Sequence, residues 1–187
     1  MNEYLIETPS IDFMNFHIQE KAQELKYQSD DNLDYIKRSY IFVRDGIPHS
    51  WDIKTEVVSR TASDVLKNKT GICWTKSCLL AALLRANGIP SGISYQLLTR
   101  ADDDSEGYMI HALNTVYIKD LIKWIIIDAR GIKENINAYF SLDDMYIDTK
   151  NMIFEYMDGD HSWYIEKESD NKVYIYMNQL KMVEHRL

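Results

Sequence analysis

Residues 71–90 read GICWTKSCLLAALLRANGIP, and the fold turns on them. From Leu79 to Leu84 the run is apolar on every side, so a helix made from it has no face to offer water and belongs inside a domain. Gly88 stands just past the last turn, where a left-handed residue closes a helix, and Pro90 follows where none continues. Cys73 to Asn87 is therefore read as a buried central helix with Cys73 in its first turn. The polar stretch Lys67 to Gly71 leads into it, and Thr61 to Leu66 is a short helix that Thr61 or Ser63 caps.

Further upstream, DFMNFHIQEKAQELKY (12–27) puts Phe13, Phe16, Ala22 and Leu25 near one helical face, and NLDYIKRSYIFV (32–43) does the same with Leu33, Ile36, Tyr40 and Val43. GIPHSWD (46–52) breaks the period and reads as a loop. Downstream the period changes. Gly92 to Thr99, Tyr108 to Ile118, Ile122 to Asp128 and Lys172 to Met177 are rich in β-branched and aromatic residues and read as strands. From Lys172 or Met177 to the end, strand and helix remain open. Helices first and strands later predict an α+β domain with a mostly antiparallel sheet.

The 187 residues include 45% hydrophobic and 27% charged side chains, which excludes disordered, collagen-like and coiled-coil classes. A chain of this length buries roughly 70% of its unfolded surface and needs no disulfide or metal staple. No repeat or Pro/Gly-rich linker divides it, so one domain spanning 1–187 is expected. The formal net charge of −8 argues against nucleic acid as a partner. MNEYLIETPSIDF lacks a basic segment followed by an apolar run, and no stretch approaches about 18 uncharged apolar residues, so a cytoplasmic protein without a membrane partner is expected.

Two cysteines, Cys73 and Cys78, are too few for a disulfide framework and wrongly spaced for CxxC chemistry. Five residues along a helix turn Cys78 about 140° away from Cys73, so each is a separate thiol. Cys73 occupies the helix start, where unpaired N–H groups and the positive end of the dipole stabilise a thiolate; Gly71 permits the tight approach. Cys78 reads as a small core residue.

An activated thiol needs a base and the base an orienting group. His111 lies in YMIHALNTVYI and Asp128 closes IKWIIID. A hairpin turning over Lys119 and Asp120 sets 111 opposite 128; one turning a residue later sets 111 opposite 130 with Asp128 on the diagonal. Both registers place the two side chains on one face. Asp128 has two competing structural roles, capping the turn DARG or pairing with Arg130. His49 either lines the cleft or lies on the surface; His17 and His185 read as solvated. Asp158, Asp160 and His161 lack a metal-ligand spacing, and Asp102 to Asp104 read as a solvated loop, so no metal is expected.

GICWTKSCLLAALLRANGIP, IHALNTVYI (110–118) and WIIIDARG (124–131) resemble the transglutaminase-like superfamily, which has a papain-like Cys-His-Asp arrangement. IFVRDGIPHSWD (41–52), DARG and FSLDD (140–144) resemble a stand-alone bacterial branch of it. Trp74 and Cys78 depart from that branch, where Tyr and His are expected. The resemblance covers roughly residues 10–145 and implies a helical part over about 10–66, a catalytic core over about 67–145 and an extension over about 146–187. It implies Cys73 as nucleophile, His111 as general base and acid, Asp128 as the group orienting His111, and no cofactor. The side-chain oxyanion donor is open between Trp51 and His49, or a main-chain donor suffices. The implied activity is a thiol hydrolase or acyltransferase on a peptide or other amide, with water or an amine as acceptor. A non-catalytic peptide-binding module on the same fold is the alternative.

Overall fold

The computed structural model describes residues 2–99, 108–131, 140–142, 153–156, 162–166, 172–176 and 181–185. Four helices come first: α1 (Phe16–Tyr27), α2 (Asn32–Gly46), α3 (Ala62–Asn68) and α4 (Cys73–Ala86). Each of the first three is opened by a side chain that occupies otherwise unpaired amides. Asn15 accepts from the His17 amide, Asp31 from that of Asp34, and Thr61 and Asp64 cap each other's amides reciprocally.

The central helix is α4, buried at every position from Thr75 to Arg85. It packs against α1, α2 and α3 on one side and against strands on the other. Its C-terminus closes through Gly88, at φ 71°, with the Gly88 amide on the Arg85 carbonyl and the Ile89 amide on that of Leu84. Arg85, the buried charge at that end, is satisfied by the Ser91 and Ile6 carbonyls.

Strands β1 (Ser91–Thr99), β2 (Tyr108–Ile118) and β3 (Lys123–Ile127) form the antiparallel sheet beneath α4, in the order β3-β2-β1. A short β4 (Ile153–Tyr156) pairs antiparallel along the other edge of β1, from Ser94 with Tyr156 to Leu97 with Ile153. The architecture is thus α+β. The segment left open between strand and helix is strand: β6 (Lys172–Tyr176) and β7 (Lys181–His185) form a second antiparallel sheet with β5 (Ser162–Glu166). Asp102 to Asp104 and the group Asp158, Asp160 and His161 lie outside the described residues.

The β2–β3 hairpin adopts the later of the two expected registers, with Asn114 opposite Ile127 and Ile118 opposite Lys123. Lys119–Leu121 form a short 3-10 turn, and Ile122 takes a left-handed conformation at φ 52°. One helix face also differs from expectation. The core side of α1 is Ile18, Ala22 and Leu25, while Phe16 is 71% exposed because the helix only begins there. Among the described residues, no helix is long and apolar enough to cross a membrane.

Candidate active site

Cys73 is the first residue of α4, and the loop containing His49 is fastened beside it. His49 bridges Gly71 in parallel, the Ser50 amide donates to the Gly71 carbonyl at 3.0 Å, and the Ser50 and Thr70 hydroxyls lie 3.1 Å apart. Gly71 is required for space rather than for an unusual backbone angle. A Cβ there would sit 2.6 Å from Thr75 Oγ1, which accepts the Ile72 amide at 3.0 Å and shapes the start of the helix.

His111 comes from the middle of β2 and Asp128 from the residue after β3, and both are buried. Their side chains meet, His111 Nε2 to Asp128 Oδ2 at 2.7 Å. Cys73 lies beside the same imidazole, close enough for each to shift the ionisation of the other. The three residues that sequence reasoning singled out are thus brought together, His111 bonded to Asp128 and Cys73 beside it. Cys78, on the same helix, is fully buried and apart from it.

Asp128 combines the orienting role with one of its two structural alternatives, the cap of the DARG turn. Its Oδ1 accepts the Arg130 amide at 2.7 Å, capping the DARG turn, while Oδ2 holds the imidazole. It does not pair with the Arg130 guanidinium, which instead grips Asp52 through two bonds of 2.6 and 3.0 Å. Lys76, only 1% exposed, donates from Nζ to the carbonyls of Arg130 and Arg44 at 2.9 and 3.4 Å. Lys76 and Asp52 escaped sequence reasoning. The signal for Lys76 was there, since it and Arg85 are the charged residues of an otherwise uncharged α4.

The electrostatics follow from this packing. Burial pushes the Cys73 thiol up, but hydrogen bonds from His111 and His49, the charge on His111 and the Ala112 amide outweigh it and bring the thiol down to about 5. Burial pushes His111 down, and the charge and hydrogen bond of Asp128, with the bond to Cys73, lift it to about 10. Desolvation likewise opposes ionisation of Asp128, and the same His111 contacts hold its carboxyl below the usual range. Each partner thus favours the charged form of the other, the thiol lowered and the imidazole raised. Cys73 keeps partial solvent access. Lys76 is drawn down to about 8 by burial and Arg130, with Asp128, Asp52 and Asp45 opposing.

Both upstream oxyanion candidates lie near the thiol but present different groups. His49 is half-buried, with Nε2 3.1 Å from the Cys73 amide nitrogen. The Trp51 side chain is 70% exposed, and it is the Trp51 amide that reaches the site, donating to His49 Nδ1 at 3.3 Å. Trp74, next to Cys73, donates its indole N–H to the Tyr95 hydroxyl at 3.1 Å. Among the described residues no group of three or more His, Cys, Asp or Glu side chains could hold a metal ion.

Comparison with known proteins bears on the fold. The sequence pattern of the transglutaminase-like superfamily matches residues 19–129. No curated protein matches the chain. Among solved structures, a candidate cysteine protease from Cytophaga hutchinsonii is similar at 20% identity and a TM-score of 0.56, over 68% of this chain and 40% of that one. Red sea bream transglutaminase is similar at 12% identity and a TM-score of 0.50, over 98% of this chain and 43% of that one. The chain therefore spans less than half the length of either. With the matched segment running from α1 through Asp128, this chain belongs to the transglutaminase-like superfamily.

Proposed function

We propose that the chain is a cysteine-dependent amide hydrolase or acyltransferase acting on a peptide or other amide through a thioester on Cys73. The observation that carries this reading is the buried His111–Asp128 hydrogen bond with Cys73 beside the imidazole, at the first residue of a helix. The thiolate attacks the carbonyl carbon, a C–S bond forms, and the carbonyl π electrons move to oxygen. As the intermediate collapses, the C–N bond breaks and the leaving amine takes its proton from His111. Asp128 keeps the imidazole oriented and stabilises its charged form. Water then releases an acid, or an amine acceptor releases a new amide, with His111 as base for either.

Two features argue against a pure binding module. Such a module needs no lowered thiol, and it gains nothing from a buried carboxylate holding a histidine. The test is labelling with iodoacetamide at neutral pH. Rapid modification of Cys73, abolished in Cys73→Ala and slowed in His111→Ala, is the expected result. Preferential labelling of Cys78, or an unchanged rate in His111→Ala, would overturn the reading. Partition of an acylated enzyme between water and added primary amine then separates hydrolase from transferase.

A further inference from the structure

Arg130 has three polar groups, and each is engaged by a different part of the chain. Its amide donates to Asp128 Oδ1 at 2.7 Å, its carbonyl accepts from Lys76 Nζ at 2.9 Å, and its guanidinium holds both carboxylate oxygens of Asp52 at 2.6 and 3.0 Å. Asp52 belongs to the loop fastened beside Cys73, and its amide closes back on the His49 carbonyl at 3.0 Å. Lys76 follows Cys73 by three residues on α4, so the thiol and the ammonium share a helix face. Nζ also reaches the Arg44 carbonyl, in the last turn of α2, at 3.4 Å. Gly131 follows Arg130 at φ 117°, and a Cβ there would stand 3.6 Å from that same Arg44 oxygen. One residue of the DARG turn thus joins the carboxylate behind His111 to the helix that carries Cys73 and to the loop that carries His49.

The burial of Lys76 marks these contacts as more than packing. At 1% exposure its ammonium bonds two carbonyls and, among the described residues, no carboxylate, although Asp128, Asp52 and Asp45 face it together with Arg130. A charge kept out of water without a direct ion pair is costly, and a side chain needed only to fill space would be apolar. What the ammonium supplies here is direction. Anchored at its carbonyl and at its guanidinium, Arg130 keeps its amide on Asp128 Oδ1, which leaves Oδ2 for His111. We propose that Lys76 and Asp52 are positioning residues: through the carbonyl and the guanidinium of Arg130 they hold Asp128 in the orientation that keeps His111 beside Cys73. The inference rests on the acyl-transfer reading above and adds to it the support that fixes the acid in place.

The test is the pH midpoint of iodoacetamide alkylation at Cys73, followed by intact mass in the wild-type chain, Asp52→Ala and Lys76→Met, with thermal unfolding of each. Asp52→Ala is the sharper variant, because charge and position predict opposite signs. Removing a carboxylate leaves the site more positive, which by itself favours the thiolate and lowers the midpoint. Releasing Asp128 instead lets the imidazole turn away from Cys73, so the thiol loses part of the charge that lowers it and the midpoint rises. The expected result is a rise of roughly one unit in Asp52→Ala and a rise in Lys76→Met as well. A midpoint that falls or stays put in Asp52→Ala overturns the proposal, since lost packing alone lowers the unfolding temperature without moving the ionisation. The Asp52 side chain is partly exposed, so the outcome does not hang on Lys76→Met folding. Proton NMR adds a second readout. The deshielded proton between His111 and Asp128, identified by its absence in His111→Ala, should shift or broaden in Asp52→Ala, and an unchanged resonance there also overturns the proposal. A wild-type midpoint at the ordinary thiol value, or one that His111→Ala leaves in place, would instead sink the acyl-transfer reading itself.

Discussion

At the residue scale, the Cys73–His111 pair sets the pH dependence. Contact with His111 brings the thiol down to about 5, and contact with Asp128 and Cys73 lifts the imidazolium to about 10, so the nucleophile should be formed between those limits. The sign follows directly: alkylation of Cys73 rises as pH passes upward through about 5 and then stays level to the far side of neutrality. In His111→Ala the hydrogen bond and charge that oppose burial are gone, so the rise should move up toward or beyond the ordinary thiol value of about 8.5. A pH–rate profile of iodoacetamide alkylation with both proteins checks this, and an unmoved midpoint would contradict it.

At the element scale, the opening of α4 depends on a missing side chain. A methyl group at position 71 would collide with Thr75 Oγ1 at 2.6 Å and press on Val65 Cγ2 at 3.2 Å. Gly71→Ala should therefore cost about 1–3 kcal/mol and displace the hydroxyl that holds the Ile72 amide. Thermal unfolding should report a lower midpoint, and the alkylation rate of Cys73 should fall with it because the thiol loses its alignment with His111. What the sequence disclosed of this region follows from which forces leave a pattern. The apolar body of α4, its closure at Gly88 and the pairing of His111 with Asp128 were legible, since burial and alternation mark them. The hairpin register was legible only to within two alternatives, because Ile122 adopts a left-handed conformation with a branched side chain where glycine would have signalled the turn. Phe16 misled for a related reason: spacing alone cannot say on which residue a helix begins. The links from Lys76 and Asp52 to the DARG turn join residues 54 and 78 positions apart, beyond any local periodicity.

On the scale of the whole molecule, one helix serves both the chemistry and the core. Its body is enclosed by α1, α2 and α3 above and by the sheet below, with Leu79, Leu80, Leu83 and Leu84 fully buried. Leu80→Ala, about two turns from the thiol, should cost about 2–5 kcal/mol. For a chain of this size each kcal/mol lowers the midpoint by roughly 2–4 °C. Calorimetry should show that loss, while alkylation below the new midpoint keeps its wild-type pH profile. A changed profile at low temperature would mean that packing and ionisation are coupled more tightly than the geometry suggests. The order of elements has a further result during synthesis. The helix bearing Cys73 leaves the ribosome before the strands that supply His111 and Asp128, so a nascent chain carries an uncovered greasy rod and an unassisted sulfhydryl together. Until the hairpin arrives that sulfhydryl stays mostly protonated and sluggish, so the protein acquires its reactivity only once the surface most prone to misassociation has been covered.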